Sequence, residues 1–138
     1  MLRVNKKTEY GILALLHLAS QADRVASVRE IAEACNIPET LLSKIMQKMK
    51  NVGILGAVYG NQGGYRLNRE LAEISLLDIN QVLVGPVRVA ECLEPGNDNC
   101  PAKDCCTIVA PMNVLNQKIT NLFQSTSLEA LAPRKVAL

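Results

Sequence analysis

Four of the five cysteines fall within fifteen residues, and three of them form the frame Cys92-x7-Cys100-x5-Cys106. Clustered thiolates are soft ligands, suited to iron–sulfur clusters, zinc or copper(I) and poorly suited to hard cations. The segment that carries them contains Pro95, Gly96, Asn97, Asp98, Asn99 and Pro101, which interrupt helical and strand periodicity alike. A backbone with no ladder of its own can wrap around a centre and aim several sulfurs at it. On the residues alone, zinc and iron are close rivals. Cys105 is an extra thiol that offers a second frame with a shorter last spacing. An odd number of cysteines argues against a disulfide framework and for metal or redox chemistry in a reducing compartment.

Other chemistry is absent. The chain shows no carboxylate pair, no nucleophile with a base and no phosphate-cradling motif, and Gly60-Asn-Gln-Gly-Gly64 lacks the strand-to-helix setting and the lysine of a P-loop. The sole histidine, His17, sits among leucines in a helical stretch and reads as an ordinary helix residue. The sequence therefore reads as that of a protein that is not an enzyme.

The elements that must position the cysteines follow from length and periodicity. A chain of 138 residues is one compact unit plus an appendage. Thr8 to Ala22 is predicted as a buried helix, with Thr8 as its cap and an apolar face of Ile12, Leu13, Leu15, Leu16 and Leu18. Ser27-Val-Arg-Glu30 is a capping box that starts a second helix ending near Cys35. After an Asn36-Ile37 turn, Pro38 fits the first position of a third helix, whose apolar residues Leu41, Leu42, Ile45, Met46 and Met49 run up to Gly53. Two extended runs, Ile54 to Tyr59 and Tyr65 to Leu67, flank the glycine-rich turn and predict a β-hairpin. Two helices joined by a tight turn and followed by a hairpin make a winged helix. The expected class is thus mainly α with a small β-hairpin.

Residues 1–70 hold ten Lys/Arg against six Asp/Glu, whereas residues 71–138 hold five against seven, so the N-terminal half is the side for a polyanion. On the third helix the inward apolar face leaves Glu39, Thr40, Ser43, Lys44, Gln47 and Lys48 outside. Thr40 and Ser43 can reach base edges, Gln47 can pair with adenine or meet a phosphate, and Lys44, Lys48 and Arg29 can neutralise phosphates. With Ser27 and Pro38 at the helix starts and Tyr59 and Gly60 at the wing, these form the expected DNA-binding set. A solvated helix face would carry similar residues, and the hairpin that follows favours the DNA reading.

At this point a resemblance spans nearly the whole chain. Lys7-Thr-Glu-Tyr10-Gly-Ile-Leu-Ala-Leu, the stretch from Ile31 through Ile37-Pro to Lys50-Asn-Val-Gly-Ile54, the wing Gly60-Asn-Gln-Gly-Gly-Tyr65-Arg-Leu and the three-cysteine loop are similar, in order and spacing, to the Rrf2 family of transcription regulators. The resemblance implies a homodimeric winged-helix regulator, repressor or activator, that binds a palindromic operator with an affinity set by a bound cluster. It carries the cluster ligands onto Cys92, Cys100 and Cys106 and implies a two-iron or four-iron cluster. Some members supply a histidine three residues past the third cysteine, but here that position is Val109. Glu9 aligns with an acidic residue that reaches the cluster from the partner subunit in one branch, which makes it the expected fourth ligand; as a first-turn acid it could equally serve only the helix N-terminus. Tyr59 and Ser43 depart from wing and reading-helix residues of the cluster assembly regulators, so the operator of those proteins does not carry over. A cluster-free regulator of the same fold, controlled by thiols or zinc, is the alternative.

Ser75 to Val84 reads as a further capped helix stopped by Gly85-Pro86. Beyond the loop, Met112, Leu115, Ile119, Leu122, Phe123, Leu128 and Leu131 mark an apolar stripe on one long helix of about twenty residues (about 30 Å), suited to a partner helix. The organisation expected is a winged helix-turn-helix domain over 1–85, a cluster-binding loop over 86–110, a dimerisation helix over 111–132 and a tail over 133–138. With no spanning apolar run and no leader-like start, no membrane association and a cytoplasmic location are expected.

Overall fold

In the computed structural model, which describes residues 3–133, the chain is mainly helical with one small sheet. Helix α1 (Lys6–Ser20) is followed by strand β1 (Val25–Ala26), helix α2 (Val28–Cys35), helix α3 (Glu39–Asn51), strands β2 (Leu55–Val58) and β3 (Gly64–Leu67), helix α4 (Leu76–Leu83), helix α5 (Val109–Ser125) and helix α6 (Leu128–Leu131). The sheet is antiparallel in the order β1-β3-β2, with Ala57 opposite Tyr65 and Val25 opposite Arg66. This is a winged helix, and its wing carries a third strand that the hairpin pattern does not announce. Two residues are too few to show alternation, and β1 exists only because β3 offers it a ladder.

Helix α1 begins earlier than its apolar pattern suggests. Asn5, not Thr8, is the cap, its side chain accepting from the Lys7 amide at 2.9 Å. Thr8 instead lies fully buried. Pro38 occupies the cap of α3, one residue before the first helical position, and its carbonyl accepts from the Leu42 amide. The capping boxes at Ser27–Glu30 and Ser75–Asp78 are both formed.

The core joins α1, α2, α3 and the sheet through Leu15, Leu18, Ile31, Leu42, Met46, Met49 and Leu55, all essentially inaccessible. Helix α4 packs on α1 through Ile79 and Leu83, where a Cβ on Gly11 would sit 2.6 Å from Leu83 Cδ1. Glycine thus sets the spacing of the two helices.

The long C-terminal helix is not continuous. Helix α5 ends at Ser125, and α6 restarts at Leu128 under a Ser127 cap. Ser125 and Thr126 turn their hydroxyls onto the Leu122 carbonyl, a side-chain bond that competes with the helical ladder. The amides of Leu76 and Leu128 then pair with the carbonyls of Thr126 and Ile74 at 2.8 and 2.9 Å. Leu128 is thereby buried in the core of its own chain, stabilising it by about 1.5–3 kcal/mol, so it leaves the stripe assigned to a partner helix. At the other end α5 begins at Val109. Pro111 is its third residue, where a missing N–H costs no intrahelical bond. Of the expected tail, only Pro133 lies within the described residues. No helix among them is long and apolar enough to cross a membrane.

Candidate nucleic-acid interface and metal-binding segment

Helix α3 buries Leu42, Ile45, Met46 and Met49 and leaves Glu39, Thr40, Ser43, Lys44, Gln47 and Lys48 exposed. The spacing of the apolar residues dictates this division, since positions three and four apart share a face. Neither Lys44 nor Lys48 has an ion-pair partner among the described residues. Gln47 is held: its Nε2 donates to Asn51 Oδ1 at 3.1 Å, and its Oε1 accepts from Tyr65 Oη at 3.4 Å. Tyr65 therefore links α3 to the wing. Its place in the strand gives no hint of this link, because the contact spans eighteen residues.

The other predicted residues are spread around this edge. Arg29 is exposed at the start of α2 and pairs with Glu33 at 3.2 Å. The Ser27 hydroxyl accepts from the Glu30 amide at 3.1 Å, which occupies it in the capping box. Pro38 is exposed ahead of α3. Tyr59 is 87% exposed at the base of the wing turn, so it makes no cross-strand packing contact of consequence. Gly60 follows it with φ +123°, a conformation open to glycine. Arg66, on β3, is exposed as well, but it follows Tyr65 in the strand and so lies on the opposite face of the sheet.

The wing is tied to the body at two points. Arg24 donates to both carboxylate oxygens of Glu70, at 2.8 and 3.2 Å, across the base of the sheet. These hydrogen bonds, and then the guanidinium charge, hold the Glu70 carboxyl below the usual carboxylate range. Within the sheet, a Cβ on Gly64 would meet the Ala26 carbonyl oxygen at 2.3 Å, so β1 and β3 approach through glycine.

The cysteine segment is built differently. Between Gly85 and α5 there are only 3₁₀ turns, at Glu91–Leu93 and Lys103–Cys105. Local bonds hold it: Asn97 Nδ2 donates to the Glu91 carbonyl at 3.1 Å, the Asn99 amide donates to Asn97 Oδ1 at 3.2 Å, and Lys103 pairs with Asp98. One bond ties it to α5, from the Val89 amide to Asn116 Oδ1 at 2.9 Å. Cys92, Cys100 and Cys105 are exposed and Cys106 is half-buried. Among the described residues, no three metal-ligating side chains are gathered in one place. The three thiols thus share a segment without sharing a centre. Their chemistry suits a soft metal or cluster, since each is a free, accessible thiol on backbone with no sheet or helical ladder to break.

Glu9 sits in the first turn of α1, 2.9 Å from Lys6 Nζ, with its side chain 44% exposed. It is thus engaged in a local ion pair that is half open to solvent. Cys35, at the end of α2, is half-buried, and burial pushes its thiol pKa up. A cavity of about 600 Å³ lies where α1, the Gly85–Pro86 turn, the cysteine segment and α5 meet, lined by Asn5, Asn80, Glu94, Pro95 and Phe123 among others.

A model of the Rrf2 family, described as an iron-dependent transcriptional regulator, matches residues 4–134. The chain is 31% identical over 130 residues to protein aau3 of Rhizobium meliloti, covering 94% of this chain and 84% of aau3. It is 30% identical over 132 residues to the HTH-type transcriptional regulator CymR of Bacillus subtilis, covering 95% of this chain and 90% of CymR. The solved structure of B. subtilis CymR, the global cysteine regulator, superposes with a TM-score of 0.73 at 31% identity over 96% of this chain and 97% of that one. The structure of T. potens IscR does so with a TM-score of 0.68 at 26% identity over 94% and 85%.

Proposed function

The chain belongs to the Rrf2 family of transcription regulators, DNA-binding proteins without enzymatic activity, and from that premise we propose that it is a homodimer whose affinity for a palindromic operator is controlled by an iron–sulfur cluster on Cys92, Cys100 and Cys106. The observation that carries this reading is the placement of two exposed thiols and one half-buried thiol on the irregular segment that links α4 to α5. The iron-dependent description of the matching family supports iron over zinc.

Helix α5 supports the dimer. None of its residues is fully buried. Ile108 just before it, and Leu115 and Leu122 within it, recur at seven-residue spacing and are 57%, 43% and 61% exposed. A stripe of that period suits a partner helix, and a two-fold axis there would place two α3 helices on successive half-sites.

A bound cluster supplies a cross-link among thiolates that responds to iron supply, oxidants or nitric oxide. The rest is the work of the protein. Cys92, Cys100 and Cys106 must lose their protons and converge, which draws residues 92–106 into one arrangement and braces α5 against the winged helix. Glu9 from the partner subunit is the proposed fourth ligand. Its pair with Lys6 is solvent-exposed and contributes little, so leaving it costs little. The separation of the two α3 helices, and with it operator affinity, then follows the state of the loop.

Anaerobic purification with iron and sulfide counts, absorption spectra and operator binding tests this reading. Visible charge-transfer bands that disappear in Cys92→Ala, Cys100→Ala and Cys106→Ala but persist in Cys35→Ala are the expected result. Colourless, iron-free protein that binds DNA as tightly before and after reconstitution overturns it in favour of thiol or zinc control. For the fourth ligand, Glu9→Ala should alter the spectrum; an unchanged one excludes Glu9.

A further inference from the structure

We propose that Lys7 of α1 is a third contact to the DNA backbone, acting beside Lys44 and Lys48, a proposal that rests on the reading of the outer face of α3 as the DNA-binding surface. Lys7, Lys44 and Lys48 line one cleft of about 170 Å³ whose apolar walls are Leu41, Ile45 and Leu83. Among the described residues, no acidic side chain lines this cleft and none of the three lysines has an ion-pair partner. Three lysines along one cleft attract an anion, and a phosphodiester backbone running beside the exposed edge of α3 is the anion that the fold brings there.

The neighbouring Lys6 is placed otherwise. Its Nζ lies 2.9 Å from Glu9 Oε2 and 5.7 Å from the centre of the Tyr10 ring, and it does not line the cleft. The backbone of Lys7 is anchored on both sides. Asn5 caps its amide at 2.9 Å, and the hydroxyl of the next residue, Thr8, donates to the buried Asn80 Oδ1 at 3.1 Å. From this fixed base the flexible stem of a lysine can follow a phosphate without demanding one geometry.

The test is the salt dependence of binding by the full-length chain to a labelled mixed-sequence duplex, followed by fluorescence anisotropy across a series of KCl concentrations. Each phosphate that a lysine neutralises adds about 0.9 to the steepness of log K against log salt. Lys7→Gln should reduce the steepness by that amount for every chain bound and weaken binding to all duplexes alike. Lys7→Arg should retain the slope, and Lys6→Gln should leave it unchanged. Melting by circular dichroism verifies that each variant is folded. An unchanged slope for Lys7→Gln, while Lys44→Gln and Lys48→Gln are each shallower by about 0.9, overturns the inference and leaves the α3 surface standing. Unchanged slopes in all three variants overturn both.

Discussion

The Thr8 hydroxyl donates to Asn80 Oδ1 across 3.1 Å with both side chains buried, and Asn80 Nδ2 donates in turn to the Gly85 carbonyl at 2.9 Å. One amide thus joins the start of α1 to the turn from which the cysteine segment departs. Asn80→Ala strands the Thr8 hydroxyl and the Gly85 carbonyl together and should destabilise the chain by about 1–3 kcal/mol in urea unfolding. Thr8→Val should cost less, because only the acceptor on Asn80 loses its partner. A double variant whose loss equals the sum of the singles would show that the bond contributes no coupling.

Glu70 carries a pH dependence. Its carboxyl titrates below the usual range because of the hydrogen bonds and charge of Arg24, so the pair stabilises the fold above the unfolded value of about 4.3. That contribution is lost as pH falls through the lower folded value. The urea midpoint of the wild type should exceed that of Glu70→Gln at neutral pH, and the two should converge in acid. As an exposed pair, the difference should also shrink in high salt; a gap that widens on acidification contradicts the assignment.

Gly64→Ala should disrupt the wing. The new methyl group meets the Ala26 carbonyl oxygen, a backbone atom that cannot rotate away, so β1 must separate from β3 or the chain must bear the overlap, at about 1–3 kcal/mol. Thermal melting measures the loss, and duplex binding reports whether the wing moves with it.

Thiol reactivity should divide the cysteines of the metal-free chain. Burial raises the Cys35 thiol pKa and shields its sulfur, whereas Cys92, Cys100 and Cys105 are exposed. Only thiolate reacts with iodoacetamide. Peptide mass spectrometry should find the loop thiols alkylated before Cys35, and Cys35 should gain reactivity only at higher pH. Labelling of Cys35 at the rate of the others would show that α2 opens readily.

Base reading and phosphate contact should separate on α3. Ser43→Ala should change the preference for bases in a selection from random duplexes, by about 1–3 kcal/mol at the position it meets. Lys44→Ala should weaken all sequences together. A Ser43→Ala variant with an unaltered selected sequence would remove Ser43 from the base-reading residues.

Much of this molecule is determined by local sequence. The capping boxes at Ser27 and Ser75, the inward stripe of α3 and the glycine turn of the wing depend on residues at most a few positions apart, where periodicity and hydrogen-bonding geometry leave little choice. The exposed edge from Glu39 to Lys48 could be read for the same reason. Tertiary structure decided what depends on distant partners. Thr8 looks like a cap until Asn80, seventy-two residues away, supplies an acceptor inside the core; the one sequence hint is an asparagine set on the apolar stripe of α4. Strand β1 needs β3, and Leu128 leaves the helix stripe because the edge at Ile74 and Leu76 offers it hydrogen bonds and a buried site. The free energies that settle such choices come from packing and from satisfying buried polar groups, and neither is written in the spacing of a single segment.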